Sequence, residues 1–260
     1  MQRYIVYDCT ESPAGGLADR IKGIISCFAL ANLLHREFII NWQYPFKLQS
    51  VLQPNTVDWL PKPIQGTAHQ YFVIDQDNYE QFKQQFNAKT AANFFQEDIS
   101  IIRTNINFLD HLEQEHMFKA YFEMLFKQPE LPLDTAYNTI GLCARFGGQL
   151  SNWNDTDFNI NLSFNDMLQK LLQTKQAHPS HKTFVCSDSK QFINFLNSKV
   201  DFLTTAGDTE HMDRPGCSMQ GFVKSFHDFF LLRNCDIIIS TKGGFAQTAA
   251  LSSGKNVIKI

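Results

Sequence analysis

Apolar positions along this chain alternate between two spacings. Arg3-Tyr4-Ile5-Val6-Tyr7 is a short dense run of strand type, with Asp8 and Cys9 at its end. After a glycine turn, Ile21, Ile24, Ile25, Phe28 and Ala31 recur at the spacing of one helix face. Phe38-Ile39-Ile40 reads as the next strand, ending near Trp42. Tyr71-Phe72-Val73-Ile74 follows a stretch containing Pro54, Pro61 and Pro63, and Ile99 to Ile102 is another apolar run. Phe118, Tyr121, Phe122, Leu125 and Phe126 mark a helix face. Past Pro129 and Pro132 the alternation starts again. It predicts strands at 139–144, 183–186, 237–239 and 257–260, and helices at 164–172, from about Ser189, through Phe222, Phe226, Phe229, Phe230 and Arg233, and from about Phe245. No internal repeat or low-complexity tract interrupts the pattern.

Strands alternating with helices predict an α/β fold whose parallel sheets are covered on both faces. The proline-bearing stretch 129–138 reads as a linker. The expected architecture is therefore two Rossmann-like domains facing a cleft, residues 1–135 and 136–260. Ligands of such sheets sit beyond the carboxyl ends of the strands. Gly15, Gly16, Arg145, Asp188, Gly243 and Gly244 all follow predicted strands, which points to a cleft for a phosphorylated ligand.

Composition narrows the partners. The 260 residues are 43% hydrophobic and 19% charged, with 24 phenylalanines, enough for a large aromatic core. The net charge is -3 and no Lys/Arg run occurs, so no electrostatic footprint for nucleic acid is present. No stretch approaches the roughly 20 apolar residues of a transmembrane segment, and no secretory signal is visible before the strand at residue 3. Six cysteines, none in CxxC spacing, lie mostly in apolar runs. That argues against a zinc site or a disulfide framework and for a reducing, cytoplasmic setting, with peripheral association to a membrane left open. The sequons at Asn154 and Asn161 weigh slightly the other way.

Several residues have the right chemistry for a diphosphate. In Gly15-Gly16-Leu17-Ala18-Asp19-Arg20, strand, glycine turn and helix would present backbone N–H groups at a helix N-terminus, which favours an anion; a plain tight turn is the alternative. Thr241-Lys242-Gly243-Gly244-Phe245 is a second such turn, adding a hydroxyl. Arg145 closes an apolar strand before Phe146-Gly147-Gly148, a setting suited to bidentate phosphate recognition, or else is a surface salt-bridge residue. Asp188 either binds a base or ribose or caps the helix beginning near Ser189. Asp75-Gln76-Asp77 and Asp155-Thr156-Asp157, the latter beside Trp153, are either divalent-ion ligands or solvated loops. Asp155 or Asp157 is also a candidate general base. His227-Asp228 reads as a structural pair in a phenylalanine-rich helix.

Three motifs together resemble the fucosyltransferase superfamily with the two-lobed GT-B fold. That group includes α1,2- and α1,6-fucosyltransferases, plant xyloglucan and Nod-factor enzymes and protein O-fucosyltransferases. Gly16-Leu17-Ala18-Asp19-Arg20 is similar to the family's N-terminal Gly-Leu-Gly-Asn-Arg turn. Cys143-Ala144-Arg145-Phe146-Gly147 resembles its His-x-Arg-x-Gly motif, with Cys143 in place of the histidine. Phe184 to Asp188, then Asp228 to Phe245, resemble its second and third motifs, with Gly243-Gly244 in place of a Ser-Ser type pair. The resemblance implies that Arg145 binds the donor's β-phosphate and Asp188 helps hold guanine. The expected donor set is Gly15, Gly16, Leu17, Asp19, Arg20, Cys143, Arg145, Asp188, Thr241, Gly243, Gly244 and Phe245; Arg145, and Asp155 from its place about ten residues further on, are expected to carry the chemistry. The implied activity is inverting transfer of fucose from GDP-fucose to a glycan or other hydroxyl acceptor, without a cofactor or metal, the N-terminal domain taking the acceptor. Two other readings stay open: a metal-dependent nucleotide-sugar transferase using Asp75 and Asp77, and a non-catalytic sugar- or nucleotide-binding member of the fold.

Overall fold

In chain order the first unit, Met1–Gln128, runs through β1 (Tyr4–Cys9), α1 (Leu17–Leu33), β2 (Glu37–Trp42), β3 (Gln53–Pro54), β4 (His69–Ile74), α2 (Tyr79–Gln85), α3 (Ala91–Phe94), β5 (Ile99–Thr104), α4 (Phe118–Leu125) and β6 (Phe126–Lys127). The computed structural model describes residues 2–11, 15–64, 69–133, 138–147, 163–241 and 243–260. All six residues of β1 are buried, as suits a strand with neighbours on both sides. The sheet order is β2-β1-β5-β4, parallel throughout, and β3 with β6 forms a separate antiparallel ribbon.

Side chains in a strand alternate between the two faces of the sheet, and the register of this sheet puts Tyr7, Phe38, Ile102 and Phe72 on one of them. Helices α1, α2 and α3 all pack there. Phe28 of α1 meets Phe38 at a ring separation of 5.4 Å, and Phe72 meets Phe82 of α2 and Phe94 of α3 at 6.4 and 5.3 Å. Helix α4 stacks behind α1, with Tyr121 edge-on to Phe28 at 5.2 Å. The opposite face carries Tyr4, Val6, Ile39, Ile99 and Ile101 and is closed near its amino end by Ile64. Among the described residues no helix packs on that face.

The second unit, Pro129–Ile260, comprises β7 (Thr139–Ala144), α5 (Phe164–Ala177), β8 (Lys182–Ser187), α6 (Lys190–Asn197), α7 (Met219–Asn234), β9 (Ile237–Ser240), α8 (Gly244–Ser253) and β10 (Val257–Lys259). Its parallel sheet has the order β10-β9-β7-β8. Ile140, Leu142, Ala144, Val185 and Ile239 pack against Met167, Leu168 and Leu171 of α5 and Phe192 and Leu196 of α6. On the other face α7 lies so close to β7 that a Cβ on Gly141 would sit 2.6 Å from Leu232 Cδ1 and 2.8 Å from Cys235 Sγ. This sheet is covered on both faces, as the sequence pattern predicts. Ser163, Ser189 and Ser218 cap α5, α6 and α7 by accepting backbone N–H groups of the first turn, Ser163 with Asp166 in a reciprocal capping box.

From β7 the chain crosses to β8 on one side, then returns to β9 on the other. The crevice between the carboxyl ends of β7 and β9 is thus the point where strand order reverses, the place where open α/β sheets bind ligands.

Candidate functional site

Two turns meet at that crevice. Arg145 follows β7 and Thr241 follows β9. The backbone N–H of Arg145 donates to Thr241 Oγ1 at 2.8 Å, and the Thr241 hydroxyl donates to the Arg145 carbonyl at 3.1 Å. The N–H of Thr241 donates to the Cys143 carbonyl at 3.2 Å. One buried threonine side chain therefore locks the two strand ends together. The Arg145 side chain passes over Gly243: a Cβ built there would lie 3.8 Å from Arg145 Cδ. Helix α8 begins at Gly244 with no side-chain cap, so the N–H groups of its first turn have no intrahelical partner and, among the described residues, no side-chain cap. Phe245 turns its ring against Phe229 of α7 at 5.6 Å, which leaves its backbone as the part that can serve a ligand.

The end of β8 is tied to the same place. Ser187 Oγ donates to the Ala144 carbonyl at 2.7 Å, and Asp188 Oδ1 accepts the N–H of Phe146 at 2.9 Å. The cap of α6 is Ser189, not Asp188, which removes the capping alternative for the aspartate. Cys143 and Cys186 are register partners on β7 and β8. A hydrogen bond with Cys143, together with burial, pushes the Cys186 thiol well above its ordinary value. Arg145, Asp188, Cys143, Thr241, Gly243, Gly244 and Phe245 are thus brought to one end of one sheet.

The glycine turn of the first unit is built differently from its sequence appearance. Gly15 has φ +72°, and a Cβ there would lie 2.9 Å from Asp19 Cβ, so the turn is restricted to glycine both by conformation and by space. Gly16 precedes α1, and its carbonyl accepts the N–H groups of Asp19 and Arg20, both at 3.1 Å. Leu17 is buried and Asp19 pairs with Lys22 at 2.7 Å. Arg20 is fully buried. Its Nε donates to the Gly15 carbonyl at 2.8 Å, its Nη1 to the Tyr44 carbonyl and to Cys9 Sγ, and its guanidinium lies 4.7 Å from the Trp42 ring centre. The cation expected to bind the donor is turned inward and shapes the glycine turn instead. A charge written next to a glycine turn gives no sign of which way it points.

Other expectations resolve locally. Asp75 Oδ1 accepts the N–H groups of Asp77 and Asn78, both at 3.1 Å, and thereby closes the turn that starts α2. Asp77 is exposed. Asp155, Asp157, Trp153, Gly148, Lys242 and the two sequons lie outside the described residues. The partner of Asp228 is Lys224, one helical turn back at 3.0 Å, with Thr205, rather than His227. Burial raises the Asp228 carboxyl, while burial lowers the His227 imidazole. The sequence reading missed one group altogether: Asn41, Tyr71 and Arg103 gathered around Asp8 in the first unit. The position of Arg103 one residue past the apolar run 99–102 was the available signal.

No protein-family model matches the chain, and no curated protein matches it by sequence. Solved structures do match in three dimensions. A mutant of Arabidopsis thaliana FUT1 in complex with GDP aligns with a TM-score of 0.66 at 14% identity, over 100% of this chain and 70% of that one. NodZ α-1,6-fucosyltransferase co-crystallised with GDP aligns with a TM-score of 0.61 at 14% identity, over 96% of this chain and 92% of that one. Fucosyltransferase NodZ from Bradyrhizobium gives 0.62 at 14% identity, with 96% and 92% covered. The chain shares with these proteins a mixed α/β fold built on parallel sheets.

Proposed function

We propose that this chain is an inverting glycosyltransferase that moves fucose from GDP-fucose to a hydroxyl acceptor. The second unit, within residues 136–260, binds the donor, and the first, within 1–135, takes the acceptor. The observation that carries this reading is the junction at the carboxyl ends of β7 and β9. There an arginine on a turn fixed by Thr241 stands over Gly243, beside the uncapped N-terminus of α8. A guanidinium fork and helix N-terminal N–H groups are complementary to a diphosphate. The solved structures of the same fold add weight: FUT1 and NodZ were crystallised with GDP, and one NodZ crystal was soaked with GDP-fucose.

In this mechanism the acceptor hydroxyl attacks the anomeric carbon as the bond to the β-phosphate breaks. Negative charge grows on the departing diphosphate. Arg145 and the N–H groups of Gly244 and Phe245 stabilise it without reorganising, because Thr241 and the α7–α8 packing already hold them. Arg145 and the positive end of the α8 dipole supply the counter-charge that a divalent ion supplies elsewhere. A carboxylate takes the acceptor's proton, and Asp155 is assigned that role. Asp188 holds the turn after β7 and helps to hold the guanine.

The test is ligand-dependent thermal stability. A ligand that binds only the folded chain stabilises it by about 2.7 kcal/mol at 100 times its dissociation constant. GDP should raise the melting temperature more than UDP or ADP, and the shift should persist in EDTA. A larger shift with UDP removes the guanine assignment, and a shift abolished by EDTA and restored by manganese replaces this mechanism with the metal-dependent one.

A further inference from the structure

We propose that the face of the first sheet opposite α1, α2 and α3, at the carboxyl ends of its strands, binds a neutral polyhydroxylated ligand, the carbohydrate acceptor; its identity as acceptor rests on the transferase reading above. Asp8 continues the face of Tyr4 and Val6 to the end of β1, and its register partner on β2 is Asn41. Asp8 is 5% exposed. Oδ2 accepts from Arg103 Nη2 at 2.8 Å, the Tyr71 hydroxyl at 3.1 Å and the Thr10 hydroxyl at 3.3 Å, and Oδ1 accepts from Asn41 Nδ2 at 3.3 Å. Four parallel strands thus send one side chain each into a single connected group, at the end of the sheet where α/β folds place ligands.

A buried ion pair that only fastened four strands would be closed over. This one carries an aromatic ring in water. Tyr71 is 47% exposed and Val73, two residues along the same edge strand, is 49% exposed. Tyr71 is nonetheless held at both ends: its hydroxyl by Asp8, and its ring by the Arg103 guanidinium 5.7 Å from the centroid. An exposed ring that is already immobilised loses little entropy when a ligand stacks on it. Its apolar face suits the C–H face of a pyranose, and the amides and ions beside it suit the hydroxyls at the ring's edge.

The charges select the ligand class. Asp8 and Arg103 neutralise each other, and Glu11 stands 3.8 Å from Arg103 Nη1 on an exposed side chain. Among the described residues this group has no excess cation to hold a phosphate, sulfate or carboxylate. Donor and acceptor capacity does remain. Arg103 Nε is buried without a hydrogen-bond partner, and Asp8 Oδ1 takes a single hydrogen bond where a carboxylate oxygen can take two.

The experiment is a screen of the full chain on an array of neutral and acidic oligosaccharides without nucleotide, followed by titration of the best-bound sugar. Neutral sugars should bind. Tyr71→Ala should weaken the titrated affinity at least tenfold, and Tyr71→Phe, which keeps the ring, should weaken it less. Val73→Glu, which sets a charge beside the ring at an exposed position, serves if Tyr71→Ala does not fold. The melting shift with GDP should be the same in all of these variants, so failure of the donor reading and failure of this one are told apart. Unchanged sugar affinity in Tyr71→Ala, preference for acidic sugars, or a chain that responds to GDP and binds no sugar overturns the proposal.

Discussion

In the second sheet, β7 is enclosed by α5 and α6 on one face and by α7 on the other, close enough that Gly141 has no room for a Cβ. In the first sheet, β1 is as deeply buried, yet α1, α2 and α3 share one face. The other face ends in a half-exposed tyrosine above a buried carboxylate. Both sheets are parallel and both are rich in Ile. The difference shows that strand burial along β1 and β7 does not report how many helices cover a sheet. It also divides the chemistry. The enclosed sheet presents strand-end turns, the Arg145 side chain and a helix N-terminus, groups complementary to a diphosphate. The open sheet offers side chains standing on a surface, which suit a sugar.

The largest effect that can test this division is at Arg145. Removing one preorganised donor to developing oxyanion charge costs on the order of 10²–10³ in turnover, so Arg145→Ala should lower kcat by that much. Arg145→Lys should recover little, since an ammonium cannot reproduce the bidentate fork. The folded state should persist in both, checked by circular dichroism and melting temperature. A folded Arg145→Ala chain with near-normal turnover would remove the donor site from the enclosed sheet.

A smaller, structural effect separates the two sheets directly. Gly141→Ala forces a methyl against Leu232 and Cys235, and overpacking of this kind costs about 1–3 kcal/mol. Val73→Thr on the open face should stay within about 0.5 kcal/mol, as surface changes do. Urea unfolding of the two variants measures both. Equal destabilisation would mean that the first sheet is covered after all.

The smallest effect is one of pH. Burial holds His227 on α7 below its ordinary value of 6.5. The unfolded chain therefore takes up a proton before the folded one does as pH falls. His227 contributes stability that is present above pH 6.5 and lost as pH drops through its lower folded value. Melting temperatures measured from pH 7 to pH 5 should fall less steeply in His227→Gln than in the parent chain. A parallel slope would show that the imidazole is solvated in the folded state.

Much of this was legible in the residues. Thr139–Ala144 is a strand at the expected positions, because a dense apolar run bounded by polar residues has few other options. The turns after β7 and β9 could be marked because glycine and arginine at strand ends are chemically distinctive. The short helices α2 and α3 were not anticipated: at seven and four residues they are too short for an apolar period to repeat. The group around Asp8 was not anticipated either. Its members come from residues 8, 41, 71 and 103, and only parallel pairing of β2, β1, β5 and β4 brings them level.

Local chemistry in the sequence determined the elements, their parallel character and the identity of the residues at the strand ends. Those depend on periodicity and on turn-forming residues, which act over a few positions. Tertiary structure decided which way the strand-end residues face. Arg20 and Arg145 both stand beside glycine turns, and nothing in their neighbours along the chain distinguishes them. Arg20 is drawn inward because Trp42 and the carbonyls of Gly15 and Tyr44 are there to receive it. Arg145 stands over Gly243 because Thr241 has brought the end of β9 against its backbone. The groups that receive each side chain come from segments following different strands, and these meet only in the folded sheet.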